Sequence, residues 1–266
     1  MASNRIADYD SIAARYDRRY ALHEYGGVRT TLFDFVGDTR AVVEVGCGTG
    51  HWLVELGRVR PSGTARSASL SGERTLAGVE PSGEMIARAR LAAPGARLVR
   101  ARAEMLPWRD ATFDRVYCIN ALHHFSDRAQ FFAEARRILK PGGALLTVGK
   151  DPHAERDSWW VYDYFPETVA IDRDRFARVR TLRGEMTLAG FSWSESFEAD
   201  RIEAVRPAIE ALGSGIVDRA YTSQLTVLSD EEFEAGVARM KAANEEAGGG
   251  LQLVTDFYLF AAIGWV

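Results

Sequence analysis

Cysteine is nearly missing from this chain. Of 266 residues, two are cysteines, Cys47 and Cys118. Cys47 lies inside a glycine-rich turn and Cys118 inside an apolar run, which supports neither a disulfide framework nor a thiolate zinc cluster. No spacing of His, Asp and Glu marks a metal site either. Long apolar runs are also missing. The longest clean one, "YLFAAIGWV" at the carboxyl end, is too short to span a bilayer. The opening "MASNRIADYD" has charges and no apolar core, so it reads without a secretory signal. A cytoplasmic protein with no membrane partner is expected. A basic surplus is lacking as well, with 33 basic against 37 acidic side chains and a net charge of −4. A domain that lives on nucleic-acid phosphates carries the opposite imbalance, so no nucleic-acid partner is expected.

What is present is ordinary globular composition, 47% hydrophobic and 26% charged, enough for one domain with an elaborated edge. Tyr9, Ile12, Tyr16 and Tyr20 recur at helical spacing in the first 35 residues. "AVVEV" then reads as a buried strand, and "HWLVEL" as the start of a helix after a glycine turn. "TLAGVE", "ARLVRAR", "FDRVYCIN" and "ALLTVGK" read as four more strands. Between them fall "PSGEMIARARLAA", capped by Ser82, and "SDRAQFFAEARRILK", with Phe131, Phe132, Ala135, Ile138 and Leu139 on one side. The small polar residues 61–74 read as a surface loop. Alternating strands and helices imply a parallel sheet covered on both faces, with ligands at the carboxyl ends of its strands. After residue 150 come an aromatic stretch, "DSWWVYDYFP", a helix, a strand from Trp193 and a helical segment over 207–248. In that segment Ser229 and Glu232 form a capping-box spacing. "LQLVTDFYLFAAIGWV" closes the chain as a long strand.

The glycine turn carries the first functional signal. "VVEVGCGTG" places Glu44 two residues ahead of Gly46, Gly48 and Gly50. Glycines let backbone bend sharply and approach a ligand closely, and the following helix aims free N–H groups at it. A dinucleotide fingerprint reads G-x-G-x-x-G. Here the spacing is G-x-G-x-G, which favours S-adenosylmethionine. Glu80 ends the second strand, where a carboxylate accepts both ribose hydroxyls; that feature serves NAD equally well.

"VVEVGCGTG", "LAGVEPSGEMIARAR", "ARAEMLPWRDATFDRVYCINALHHF" and "RRILKPGG" occur in that order. Over roughly residues 9 to 150 the chain resembles class I S-adenosylmethionine-dependent methyltransferases, in the small-molecule group of ubiquinone/menaquinone-biosynthesis enzymes. The resemblance implies a Rossmann-like α/β sandwich with a seven-stranded, mostly parallel sheet whose last strand is antiparallel. It implies a single domain over 1–266, with a cofactor-binding core at 36–150 and cap or lid elements at 1–35, 151–170 and 207–248. It also implies residue roles. Glu44 would face the methionine amino group, and Gly46, Cys47 and Gly48 would line that part with backbone. Glu80 would grip the ribose, with Pro81 beside the adenine. Ala103 and Glu104 would meet the adenine edge with backbone groups. Asn120 and Ala121 would contact the methionine end, and Tyr16 would close over the cofactor. Many relatives read Asp-Ala-Glu where this chain reads Arg102-Ala103-Glu104. Arg102 cannot accept the adenine amino hydrogen, which leaves Glu104 or backbone to do so.

The chemistry expected is methyl transfer from S-adenosylmethionine to a small, apolar or aromatic organic acceptor. His123 and His124 follow the fourth strand and are candidate general bases, because imidazole titrates near neutrality. Asp151 follows the fifth strand and is a candidate to orient an imidazole. The competing reading makes "HHF" a turn element. Trp159, Trp160, Tyr162, Tyr164 and Phe165 are either a substrate lining or a packed cap. Rival functions are a protein that binds S-adenosylmethionine without transferring methyl, an RNA methyltransferase, a dehydrogenase and a cofactor-free interaction module. A monomer or a homodimer is expected.

Overall fold

The computed structural model describes residues 8–59 and 74–266. Of the polar loop expected at 61–74, all but Arg74 lies outside the described residues. The amino-terminal part holds α1 (Tyr9–Ile12), α2 (Arg18–Leu22) and α3 (Gly26–Val36). Strands and helices then alternate through β1 (Ala41–Val45), α4 (His51–Gly57), β2 (Thr75–Val79), α5 (Gly83–Ala92) and β3 (Arg97–Val99). β4 (Phe113–Ile119), α6 (Arg128–Ile138) and β5 (Leu139–Gly149) complete the alternation. β6 (Ser158–Trp159), α7 (Trp160–Tyr164), α8 (Glu167–Arg175) and α9 (Val179–Leu188) follow. β7 (Trp193–Pro207) leads to α10 (Ala208–Gly213), α11 (Ser223–Thr226), α12 (Asp230–Glu246) and β8 (Gln252–Trp265).

The sheet has eight strands in the order β3-β2-β1-β4-β5-β8-β6, with β7 also paired to β8. β1 to β5 pair in parallel, and the last strand, β8, runs antiparallel to β5 and β6. Seven strands were expected. The additional one, β6, has two residues, with Ser158 opposite Asp256 and Trp159 opposite Thr255. It forms because β8 is long enough to pair β5 at its carboxyl end and β6 nearer its start. A two-residue strand has no periodicity to read from sequence.

The chain divides into two compact units. One, the sheet unit, comprises 26–149, 179–199 and 260–266. Its central strands are buried on both faces, which is why β1 is a β-branched run: Val42, Val43 and Val45 have no exposed surface. α6 starts where the Asp127 carboxylate accepts the Gln130 N–H at 2.9 Å. It buries Phe131, Phe132, Ala135 and Ile138 completely, the face expected from their spacing. Each such phenyl ring contributes about 1.5–3 kcal/mol by leaving water.

The other, the cap unit, gathers Met1–Tyr25, 150–178 and 200–259. Here Ser229 and Glu232 form the expected capping box, with bonds of 3.2 and 2.8 Å. α12 packs on the α7–α8 corner. Phe165 stacks on Phe233 at 5.6 Å, and Gly236 lies so close that a Cβ there would meet the Phe165 ring at 2.1 Å. Arg239 donates to the Tyr164 carbonyl at 2.8 Å and pairs with Glu167 at 2.8 Å. Trp159, Trp160 and Phe165 are buried, so these members of the aromatic stretch are packed core of this unit. Lys150 is buried among them. Its Nζ lies 3.9, 4.6 and 4.5 Å from the ring centres of Trp159, Tyr162 and Phe257, and 3.1 Å from Asp157 Oδ2. Burial pulls the Lys150 ammonium below its usual range, against the opposing charges of Asp157 and Asp172.

Candidate active site

β2 follows β1 in sequence, yet β1 also neighbours β4. The sheet order reverses between β1 and β4, and chains leaving their carboxyl ends diverge around a crevice. Glu44, Gly46, Cys47, Gly48, Glu80, Pro81, Ala103, Glu104, Asn120, Ala121, His123 and His124 all belong to the sheet unit. A cavity of about 490 Å³ lined by Arg136, Leu139, Pro141 and Val266 lies at the start of β5, the opposite strand end, and none of these residues line it.

The glycine turn is tied to the end of β2. The Gly46 and Cys47 N–H groups both donate to the Val79 carbonyl, at 2.8 and 2.9 Å. Gly46 has φ +78, a left-handed conformation that suits glycine. A Cβ there would also lie 2.4 Å from the Ala121 Cβ. Only a residue without a side chain lets the exits of β1 and β4 come this close. Asn120 makes the matching bend on β4 with φ +52, a region Asn tolerates better than most residues. Its N–H donates to the Val148 carbonyl at 2.8 Å.

Two carboxylates flank the turn. Glu80 is 7% exposed. Its oxygens accept the Gly48 N–H at 3.0 Å and the Ser82 N–H at 2.9 Å. These bonds fix the aim of its two oxygens. Glu44 is 1% exposed and accepts the Tyr117 hydroxyl at 3.1 Å. Burial, with a contribution from Glu80, pushes the Glu44 carboxyl well above the usual carboxylate range. Burial and both carboxylates likewise push the Cys47 thiol up. That disfavours a thiolate and leaves Cys47 its backbone as the useful part.

The remaining residues sort by what already holds them. Ala103 is buried. Glu104 Oε1 accepts the Ser126 N–H at 2.7 Å, the Ser126 hydroxyl at 2.8 Å and the Asp127 N–H at 3.3 Å. Burial opposes its charge, yet these bonds hold the carboxyl below its usual range. The Glu104 side chain is therefore committed to the loop before α6. The Pro81 carbonyl accepts Arg100 Nε at 2.9 Å. His123 and His124 lie in a short turn, Leu122–His124, half-buried, with ring centres 3.8 Å apart. Tyr16 and Asp151 belong to the cap unit. Tyr16 packs edge-on to Tyr9 at 5.8 Å, with the Arg19 guanidinium 4.2 Å from its ring centre. Asp151 accepts the His153 N–H at 3.1 Å and caps the turn Pro152–Ala154. Sequence reasoning missed Tyr117, whose signal was its place one strand over from Glu44 in "FDRVYCIN". It also missed His23, which shares a 2.7 Å hydrogen bond with the Tyr221 hydroxyl.

This arrangement fits S-adenosylmethionine. The glycine turn at the carboxyl end of β1 presents backbone in place of side chains, and the two-oxygen aim of Glu80 suits a ribose diol. Among the described residues no group of three or more His, Cys, Asp or Glu side chains is placed to hold a metal ion. Also among them, no helix is long and apolar enough to cross a membrane.

Comparison with known proteins bears on the same residues. Residues 43–147 match the family model described as "Methyltransferase domain". The demethylmenaquinone methyltransferase of Lactiplantibacillus plantarum is 30% identical over 184 residues, covering 64% of this chain and 72% of that protein. The ubiquinone/menaquinone biosynthesis C-methyltransferase UbiE of a Marinomonas species is 28% identical over 229 residues, 78% of this chain and 88% of the relative. Among solved structures, the YcgJ protein of Bacillus subtilis superposes with a TM-score of 0.61 at 17% identity, covering 91% of this chain and 98% of that one. Phosphoethanolamine N-methyltransferase 2 of Haemonchus contortus, solved with S-adenosylhomocysteine, gives a TM-score of 0.55 at 16% identity over all of this chain and 60% of that one. Sequence likeness across most of both chains, a shared fold and a fitting cofactor crevice lead to one conclusion: the chain belongs to the class I S-adenosylmethionine-dependent methyltransferase family and is similar, within it, to the enzymes of ubiquinone and menaquinone biosynthesis.

Proposed function

We propose that the acceptor of the methyl group is a small, apolar or aromatic organic molecule. The observation that carries this reading is the cap unit. Residues up to Tyr25, 150–178 and 200–259 fold together there, and beyond the packed core they keep Tyr9, Tyr16, Tyr20 and Tyr164 half-buried. Relatives include proteins named as ubiquinone/menaquinone biosynthesis C-methyltransferases and phthiotriol/phenolphthiotriol dimycocerosates methyltransferases, names that point to small organic acceptors.

Bound at the crevice, the cofactor supplies an electrophilic methyl group on a sulfonium. Glu80 takes the ribose hydroxyls, and Ala103 with Glu104 offers backbone groups to the adenine. Gly46 to Gly48, Asn120 and Ala121 line the methionine end, and Glu44 accepts from its ammonium group. The main catalytic contribution is to hold the acceptor in line with the methyl group, an orientation effect worth roughly 7–11 kcal/mol in favourable cases. An acceptor that is a hydroxyl or carbon acid must also lose a proton. An imidazole nitrogen of His123 takes it, with His124 as the alternative.

The test is a screen of phenols, quinols, amines and apolar alcohols with methyl-labelled S-adenosylmethionine. A labelled small-molecule product is expected. Label appearing only in RNA, or in no acceptor, would contradict the reading.

A further inference from the structure

Among the described residues, the charged group that acts on Glu44 is another carboxylate, Glu80. In the sheet it pairs with Gly78 of β2 on one side and Tyr117 of β4 on the other, so all three share a face. Gly78 presents no side chain, and a Cβ there would lie 2.9 Å from the Cys47 sulfur and 2.9 Å from Leu53. The carboxyl is thus enclosed, 1% exposed, with Tyr117 fully buried beside it. The groups that face it are the Tyr117 hydroxyl from β4, the Glu80 carboxylate from the end of β2 and the Cys47 thiol from the turn. Among the described residues, Arg74 is the cation that acts on this cluster, and it acts on Tyr117. A carboxylate ionised here would have no counter-charge among the described residues and would be cut off from water, which costs far more than a protonated acid. The ammonium group of a bound ligand changes that balance.

We propose that Glu44 is a neutral acid in the free protein, that the cofactor's α-ammonium group ionises it on binding, and that Tyr117 is the positioning residue whose hydroxyl holds the resulting carboxylate. The proposal rests on the placement of Glu44 at the methionine end of the cofactor. The O–H bond of Glu44 breaks, its electron pair stays on the carboxylate, and the proton leaves to solvent. The Tyr117 hydroxyl keeps donating to Oε2, now as a charge-assisted bond. Cofactor binding therefore expels a proton and tightens as pH rises.

The test is calorimetry of S-adenosylhomocysteine binding to the full-length protein, in two buffers of different ionisation enthalpy, between about pH 6 and 8. The wild type is expected to release close to one proton, with affinity rising by up to about tenfold per pH unit. Tyr117→Phe is expected to keep the release and to bind roughly tenfold more weakly, since a hydrogen bond to a charged group is lost. Glu44→Gln is expected to bind more weakly and to release no proton. Heats that do not depend on buffer in the wild type, or proton release that persists in Glu44→Gln, would overturn the coupling. Unchanged affinity in a folded Glu44→Gln would instead remove Glu44 from the cofactor and defeat the underlying placement. If Glu44→Gln does not fold, the wild-type and Tyr117→Phe measurements still decide.

Discussion

Glu80 is the residue whose removal is easiest to predict. Its two oxygens are already fixed by the Gly48 and Ser82 amides, so on the proposed placement Glu80→Ala deletes a pre-aimed acceptor for the ribose hydroxyls. A lost bond to a charged group costs about 1.5–3 kcal/mol, and S-adenosylmethionine affinity should fall at least tenfold, as calorimetry on the folded variant would read. His123→Ala should lower kcat with little change in cofactor affinity, and should remove the rise of rate with pH expected of the wild type. Equal turnover and an unaltered pH profile would shift the base to His124 or leave positioning as the mechanism. What was legible in sequence at this scale was local. Ser82 caps α5 and Ser229 pairs with Glu232 because those contacts span three residues. The commitment of Glu104 to Ser126 and of Glu44 to Tyr117 crosses strands, and no spacing along the chain announces it.

Among the elements, the corner from β5 to α8 holds a buried charge pair. Lys150 and Asp157 have side chains 7% and 9% exposed, and three rings enclose the ammonium. A lysine directly after a strand reads as a solvent residue, and the cage becomes visible only when β6, α7 and β8 are brought together. Asp157→Asn removes the carboxylate nearest the buried ammonium and leaves it Asp172 as the remaining opposing charge, and should destabilise the protein by about 3 kcal/mol, read as a lower urea midpoint. Replacing both residues, Lys150→Met with Asp157→Leu, should cost less, because neither member of the pair is left behind and Asp172 keeps Arg175 as an opposing charge. The strands β1, β2, β4 and β5 were legible because burial on both faces demands unbroken apolar runs. β6 was not, having two residues.

Across the whole molecule, the cofactor core was readable from four ordered motifs, and the cap was not. Its interior depends on partners far apart in sequence, as with His23 and Tyr221, which share a buried hydrogen bond. Burial, with Arg206 and Arg19 adding to it, holds the His23 pKa down to about 4 from 6.5. The sign follows from linkage. Above pH 6.5 the imidazole is neutral in folded and unfolded chains alike. Between pH 6.5 and 4 the unfolded chain takes up a proton that the folded chain refuses, so stability falls as pH falls through that window, by on the order of 3 kcal/mol in all. Urea midpoints measured across that window should show this slope in the wild type and a smaller one in His23→Gln.

The central claim, that the crevice built by the glycine turn and Glu80 holds S-adenosylmethionine and passes its methyl group to a small acceptor, is tested most directly by mass spectrometry of complete reaction mixtures. Wild type and Glu80→Ala are compared at one subsaturating cofactor concentration, with and without an acceptor found by screening. S-adenosylhomocysteine should form only when the acceptor is present, in equal amount with the methylated acceptor, and the variant should lag by tenfold or more, about the affinity it loses. S-adenosylhomocysteine produced without a methylated acceptor, or a variant that matches the wild type, would contradict it.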